Sequence, residues 1–289
     1  MSATNPETEL EAFLLLGRNR DGGWGYHPGK ASRLEPTCWA LLALADKVND
    51  RAVIERWPLK NGLLQERQDG DVNYAFNGLG LITMRALAFE LSPRVSGILQ
   101  SLQMVKGEKL KPSTVNVQDN SLQGWSWIPQ TFSWVEPTAW CLLAVKKWAR
   151  WPGTSIDQSR IDIAERLLRD RSCQGGGWNY GNSNMLGQQL KPFAPTTAVA
   201  LMSLQDRLAL PEVQRSVELL ERIATEERSG ASLALSYMTL TLFGRLRKSS
   251  VLEALIGQIP RTVALGNCMG AAMALYALKH RERHGAIVL

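Results

Sequence analysis

Long apolar runs are missing from this 289-residue chain, and no stretch approaches the roughly 20 residues that a membrane-spanning helix needs. Cysteine is sparse as well. The four (Cys38, Cys141, Cys173, Cys268) lie far apart and form no Cys-x-x-Cys pair, which argues against a zinc knuckle or a disulfide framework. Three of them fall in or beside small-apolar stretches, where a thiol acts as a small hydrophobe. Only three histidines occur, and His280 and His284 read as a solvated pair near the C-terminus rather than as metal ligands. Net charge is only +6, without a dense Lys/Arg run, so the basic surplus reads as a solvated surface and nucleic acid is not an expected partner. The polar, acidic stretch Met1–Glu11 gives no sign of a signal peptide. A cytoplasmic location is therefore expected, with peripheral membrane contact left open. Linker-like low complexity is absent, and residues 1–289 are read as one domain.

What the chain does contain is a phrase used three times: a Gly-Trp turn, an irregular bridge, then Pro-Thr opening an apolar helix. The copies are Gly22-Gly23-Trp24 with Glu35-Pro36-Thr37, Gln123-Gly124-Trp125 with Glu136-Pro137-Thr138, and Gly176-Gly177-Trp178 with Ala194-Pro195-Thr196. A self-similar unit buries its apolar face only against its neighbours. Proline suits the first helical turn, where its missing N–H costs nothing, and an acid just ahead of it complements the helix dipole. The glycines are expected to allow a tight turn at positive φ and close packing of the indole.

Strand-like alternation is scarce, and two classes of helix alternate. Val213, Val217, Leu220 and Ala224 form one stripe of an amphipathic helix. By contrast, 37–44, 138–145 and 196–204 are apolar nearly all round and must be enclosed. Inner helices are predicted to begin near Pro36, Gly78, Pro137, Pro195, Ser232 and Gly266. Six helical hairpins, with 104–120 as an insertion, define an all-α fold: an α/α toroid, or six-hairpin α6/α6 barrel.

These residues resemble the repeats of the terpenoid cyclase and protein prenyltransferase superfamily, whose domains are α/α toroids. Asp21-Gly22-Gly23-Trp24-Gly25 followed by Pro36-Thr37 carries the likeness best, and it runs from about Leu14 to Leu204. The resemblance implies an isoprenoid, or another apolar ligand, held in a central cavity. Class II cyclases of that superfamily protonate an alkene with the middle acid of Asp-x-Asp-Asp-Thr. Aligned on the threonine, that acid becomes Glu35 and Glu136, without the flanking aspartates. They are the candidate catalytic residues, set against a plain helix-capping role. Such cyclases enclose substrate with a second helical domain, which implies either a partner protein completing the cavity or a lone domain with altered chemistry. Neither the Asp/Cys/His zinc set of the prenyltransferases nor an Asp-Asp-x-x-Asp motif occurs, so no metal or cofactor is expected. Asp69-Gly70-Asp71 reads as a surface loop.

Ten tryptophans remain. Trp24, Trp125 and Trp178 are expected to lock the turns, each indole N–H meeting a carbonyl. Tyr26, Trp127, Trp134 and Tyr180 lie in the bridges leading to the inner-helix mouths and are the candidate substrate-binding aromatics. Two further functions stay open: a non-catalytic lipid- or protein-binding toroid, and a six-hairpin carbohydrate-active domain using the two glutamates as paired acids.

Overall fold

The computed structural model describes residues 5–48, 50–113, 118–245, 250–281 and 284–289; residues 114–117 of the expected insertion lie outside them. Among the described residues, six inner helices alternate with six outer ones. The inner helices are α2 (Leu34–Ala43), α4 (Tyr74–Ala86), α6 (Val135–Ala149), α8 (Ala194–Ser203), α10 (Gly230–Leu242) and α12 (Cys268–Lys279). The outer helices are α1 (Pro6–Leu16), α3 (Arg51–Glu55), α5 (Pro93–Met104), α7 (Gln158–Asp170), α9 (Pro211–Ile223) and α11 (Ser250–Ala264). Each inner helix packs on the next, and α12 returns to α2, so the ring closes into an α/α toroid. Two short antiparallel hairpins project from the connections: β1 (Leu59–Lys60) with β2 (Leu63–Leu64), and β3 (Asn184–Met185) with β4 (Gln188–Gln189). No helix among the described residues is long and apolar enough to cross a membrane.

The repeated phrase is a three-part clasp. The Thr37 hydroxyl accepts the Trp24 backbone N–H at 2.9 Å and donates to the Trp24 carbonyl at 3.2 Å. Thr138 does the same for Trp125, and Thr197 for Trp178. Each indole N–H reaches back to the end of the preceding outer helix, at Leu14 O, Leu102 O and Leu168 O, over 2.6–2.7 Å. A β-carbon on Gly23, Gly124 or Gly177 would stand 3.0 Å or less from the clasping hydroxyl. Close approach therefore demands glycine at all three positions. Positive φ does not, since among them only Gly177 adopts it. The third copy is shifted by one residue from the sequence reading: Thr197, not Thr196, occupies the clasp, and Pro195 takes the place of the glutamate.

A fourth copy is hidden. Asn77 stands where the threonine stands in the other copies, accepting the Leu64 N–H at 2.7 Å and donating to the Leu64 carbonyl at 3.0 Å. A side-chain amide offers both hydrogen-bonding roles, as a hydroxyl does. All four turns also stitch neighbours together. Two residues beyond each clasped position, a carbonyl accepts the first N–H of the preceding inner helix: Glu66 O from Leu34, Trp127 O from Tyr74, Tyr180 O from Val135, and Tyr26 O from Cys268. The last bond closes the ring. Of the two remaining inner helices, α10 starts on the Ser229 side-chain cap, whereas α8 follows Phe193 without a side-chain cap.

The far end of the hub is covered by the C-terminal segment, and here the expected solvated histidine pair is corrected. His284 is buried against Tyr237 and Tyr276, with neither ring nitrogen partnered, and His280 is half-buried. Helix α12 ends at Lys279, so His284 turns back over the ring instead of facing water. Burial, with repulsion from His280, lowers its pKa to about 4. Asp69 and Asp71 do form a surface loop, where Lys60 pairs with Asp71 at 2.6 Å.

Two outcomes are expected in urea unfolding. Thr138→Val keeps the shape but orphans the buried Trp125 N–H, costing about 1–3 kcal/mol, whereas exposed Thr225→Val costs less than about 0.5 kcal/mol. Because the unfolded chain takes up the His284 proton first, the contribution of this histidine to stability falls as pH drops from 6.5 towards 4, opposite in sign to any group whose pKa is raised on folding. His284→Phe should flatten that part of the pH profile.

Candidate functional site

Inner helices that all start at one end of the ring present their second residues to a common mouth. Five of those residues, Glu35, Glu136, Pro195, Ala231 and Met269, line a cavity of about 420 Å³. One turn deeper, Trp39, Trp140, Leu235 and Met273 form its floor. The Trp39 and Trp140 rings meet edge to face at 5.9 Å, and Tyr276 packs against Trp39 from the far side at 6.0 Å. The hub is thus open at the helix N-termini and closed across its middle.

Glu35 and Glu136 belong to different repeats and come together only because the ring closes. Each is half-buried, facing the cavity. Burial raises the Glu35 pKa to about 7, with repulsion from Glu136 and Glu66 adding to it and the Tyr26 hydrogen bond opposing it. That bond runs from the Tyr26 hydroxyl to Glu35 Oε2 at 2.6 Å. Burial also raises Glu136 to about 7, with the Trp140 side chain opposing. Among the described residues no basic side chain offsets the burial of either acid. The pair can therefore hold a proton near neutrality, beside aromatic rings and two methionines.

The candidate aromatics divide. Tyr180 stands at the rim of the acid cavity, and Tyr26 holds Glu35. Trp134 lies next door, in a groove of about 390 Å³ where it stacks on Phe132 at 4.9 Å and shares Tyr180 and Phe193 with the cavity. Trp127 is not among the residues around either space; its ring packs on Phe76 at 6.4 Å and its carbonyl anchors α4.

Sequence reasoning missed Trp39, Trp140, Phe193, Glu227, Met269 and Met273, all at the cavity. For the tryptophans a signal was present. Both copies read Glu-Pro-Thr-x-Trp, which sets acid and indole four apart on one helical face. Glu227 and Phe193 come from loops, where no periodicity points inward. Among the described residues no group of three His, Cys, Asp or Glu side chains is arranged to hold a metal.

Solved structures share this architecture. A protein from Actinoplanes superposes with a TM-score of 0.60 at 15% identity, over 95% of this chain and 98% of that one. The type II terpene cyclase MstE from Scytonema gives 0.55 at 15% identity, over 92% and 79%. A variant of that cyclase in complex with its product, merosterolic acid A, gives 0.53 at 17% identity, over 90% and 79%. At these identities the likeness is one of fold, a terpene-cyclase-like toroid. No family model matches the sequence, and no curated protein does.

The raised acids make a stability prediction. The folded protein holds protons that the unfolded chain releases from about pH 4.5, so the contribution of this pair to stability falls as pH rises from there through 7, against the opposite contribution of His284. Glu35→Gln and Glu136→Gln should each stabilise the protein at pH 8 by on the order of 1–3 kcal/mol and change little at pH 4. Thermal unfolding at the two pH values reads this directly; lower Tm for both variants at pH 8 would show the carboxylates to be structural.

Proposed function

We propose that the chain binds an isoprenoid in the acid cavity and converts it by proton transfer from Glu35 to a carbon–carbon double bond. The observation that carries this reading is the pair of uncompensated carboxyls above a tryptophan floor. An arrangement that is costly for folding and has no ion-pair role is the mark of a working site. The volume of about 420 Å³ falls in the ordinary range for small-molecule sites.

In the step proposed, the Glu35 O–H bond breaks as the alkene π pair forms a C–H bond, leaving a carbocation on the adjacent carbon. The Tyr26 hydroxyl stabilises the carboxylate left behind. Indole rings stabilise the cation through their quadrupoles while further π pairs close rings. The final cation loses a proton to Glu136, and proton exchange between the two carboxyls restores Glu35. Exposed Tyr180 and Phe193 at the mouth offer the surface that a completing protein partner would cover. The same reading takes residues 1–289 as one domain, acting in the cytoplasm or at a membrane surface.

A carbohydrate-active site would use the same paired acids, with Glu227, Ser229 and Ser232 to meet sugar hydroxyls, whereas Leu235, Met269 and Met273 suit an apolar chain. A binding-only toroid differs in what it needs from the acids. Incubation with squalene, geranylgeranyl diphosphate and related polyprenyl compounds, followed by mass spectrometry, is expected to give a cyclised product. Glu35→Gln should lower turnover by roughly 10²–10⁴-fold, and Tyr26→Phe should slow it and shift its pH profile. A copurified isoprenoid that is retained unchanged by both glutamate variants, with no product formed, would leave the cavity a binding site and remove the catalytic step.

A further inference from the structure

A second cavity, of about 470 Å³, opens at the opposite end of the hub, where the inner helices finish. Its basic side chains are Arg85 from the last turn of α4, Lys147 and Arg150 from the end of α6, and His280 beyond α12. Among the described residues no carboxylate side chain lines it. Cations at helix C-termini are favourable in themselves, which is the plainest account of these residues.

The neighbouring lysines show why that account falls short. Lys146 is held by Glu165 at 2.7 Å and Asp206 at 2.6 Å, and Lys279 by Glu11 and Asp46, both at 2.6 Å. Among the described residues Lys147, the very next residue after Lys146, meets only backbone carbonyls, those of Gly285 and Val288. Arg85 lies over the Trp151 ring at 4.2 Å. Burial, together with repulsion from Arg85 and Arg150, lowers the Lys147 pKa to about 8, and no anion opposes the shift. Asp46, the carboxylate that acts on His280, is already paired with Lys279. Three mutually repelling cations thus converge on one concavity that, among the described residues, supplies no side-chain counter-charge.

We propose that this cavity binds a phosphate-type oxyanion carrying two or more negative charges, with Arg85, Lys147 and Arg150 as its ligands. Convergence of three cations exceeds what a monoanion needs, and guanidinium forks match pairs of phosphoryl oxygens. Leu42, Leu87 and Val288 make the remaining wall apolar, so the phosphoryl group can belong to a free anion or to an ester with a short carbon chain. Trp39, Trp140 and Tyr276 separate this site from the acid cavity, and the inference does not rest on isoprenoid chemistry.

The test is thermal unfolding and calorimetry of the full chain with inorganic phosphate, inorganic diphosphate and a short alkyl diphosphate, at ionic strength held constant with chloride. Diphosphate is expected to raise Tm saturably and more than phosphate does. Lys147→Gln or Arg150→Gln should weaken it about tenfold or more. Arg150 is exposed, so its replacement leaves the ring folded, as the Tm without ligand will verify. Tighter binding of the alkyl ester assigns the apolar wall to the ligand, whereas equal binding assigns the free anion. A Tm shift that chloride reproduces, or diphosphate binding that survives replacement of all three cations by glutamine, overturns the proposal.

Discussion

Everything in this ring depends on one hydroxyl-sized contact made repeatedly: a side chain in the first turn of an inner helix that both accepts from and donates to a single backbone residue of the preceding turn. Thr37, Thr138 and Thr197 make it to tryptophans, and Asn77 makes it to Leu64. Its demands propagate outward. The hydroxyl occupies the space of a β-carbon, so glycine must precede each tryptophan. Fixing the tryptophan backbone aims its indole N–H at the preceding outer helix, and aims a carbonyl two residues on at the neighbouring inner helix. One contact thereby joins an outer helix and two inner helices. A buried polar group left unpaired costs about 1–3 kcal/mol, so errors in this joint are expensive.

Parallel inner helices give the hub two unlike ends. At the open mouth the helix dipoles favour negative charge, an effect worth at most about 1–2 kcal/mol. Burial of Glu35 and Glu136 works the other way and prevails, since both acids titrate near 7 instead of below their ordinary value. Desolvation is therefore the largest influence on the protonation of the pair, and at Glu35 repulsion from Glu136 and Glu66 adds to it. At the far end the dipoles favour cations, and Lys146 and Lys279 show that end satisfied, while Arg85, Lys147 and Arg150 show it left, among the described residues, without a carboxylate side chain.

Much of this was legible because the repeat is written in residues whose chemistry is local. Gly-Trp and Pro-Thr announce a turn and a helix start, and Ala/Leu-rich runs without a polar face announce enclosure. Where the same contact is made by other residues, the text goes silent: Asn77 with Leu64 carries no glycine or tryptophan, and the adjacent Thr196 and Thr197 differ only in which one faces the turn. His284 was misread for a related reason. A histidine beyond the last helix looks solvated until the segment carrying it is seen to fold back over Tyr237 and Tyr276. Trp39 and Trp140 were within reach, since helical spacing puts them directly beneath the two glutamates.

Periodicity and turn chemistry by themselves determined the helices, their inner and outer classes, and the toroid they build, because those properties follow from neighbours within a few positions along the chain. The course of each bridge decided that Tyr26 reaches Glu35, nine positions on, and that Trp127 packs on Phe76 instead; only the closed ring decided that Glu35 and Glu136 share one cavity with Pro195 and Met269. Such groupings join residues from repeats about a hundred positions apart. Their meeting depends on the angle through which each hairpin turns relative to the last, and that angle is set by packing summed around the whole circle.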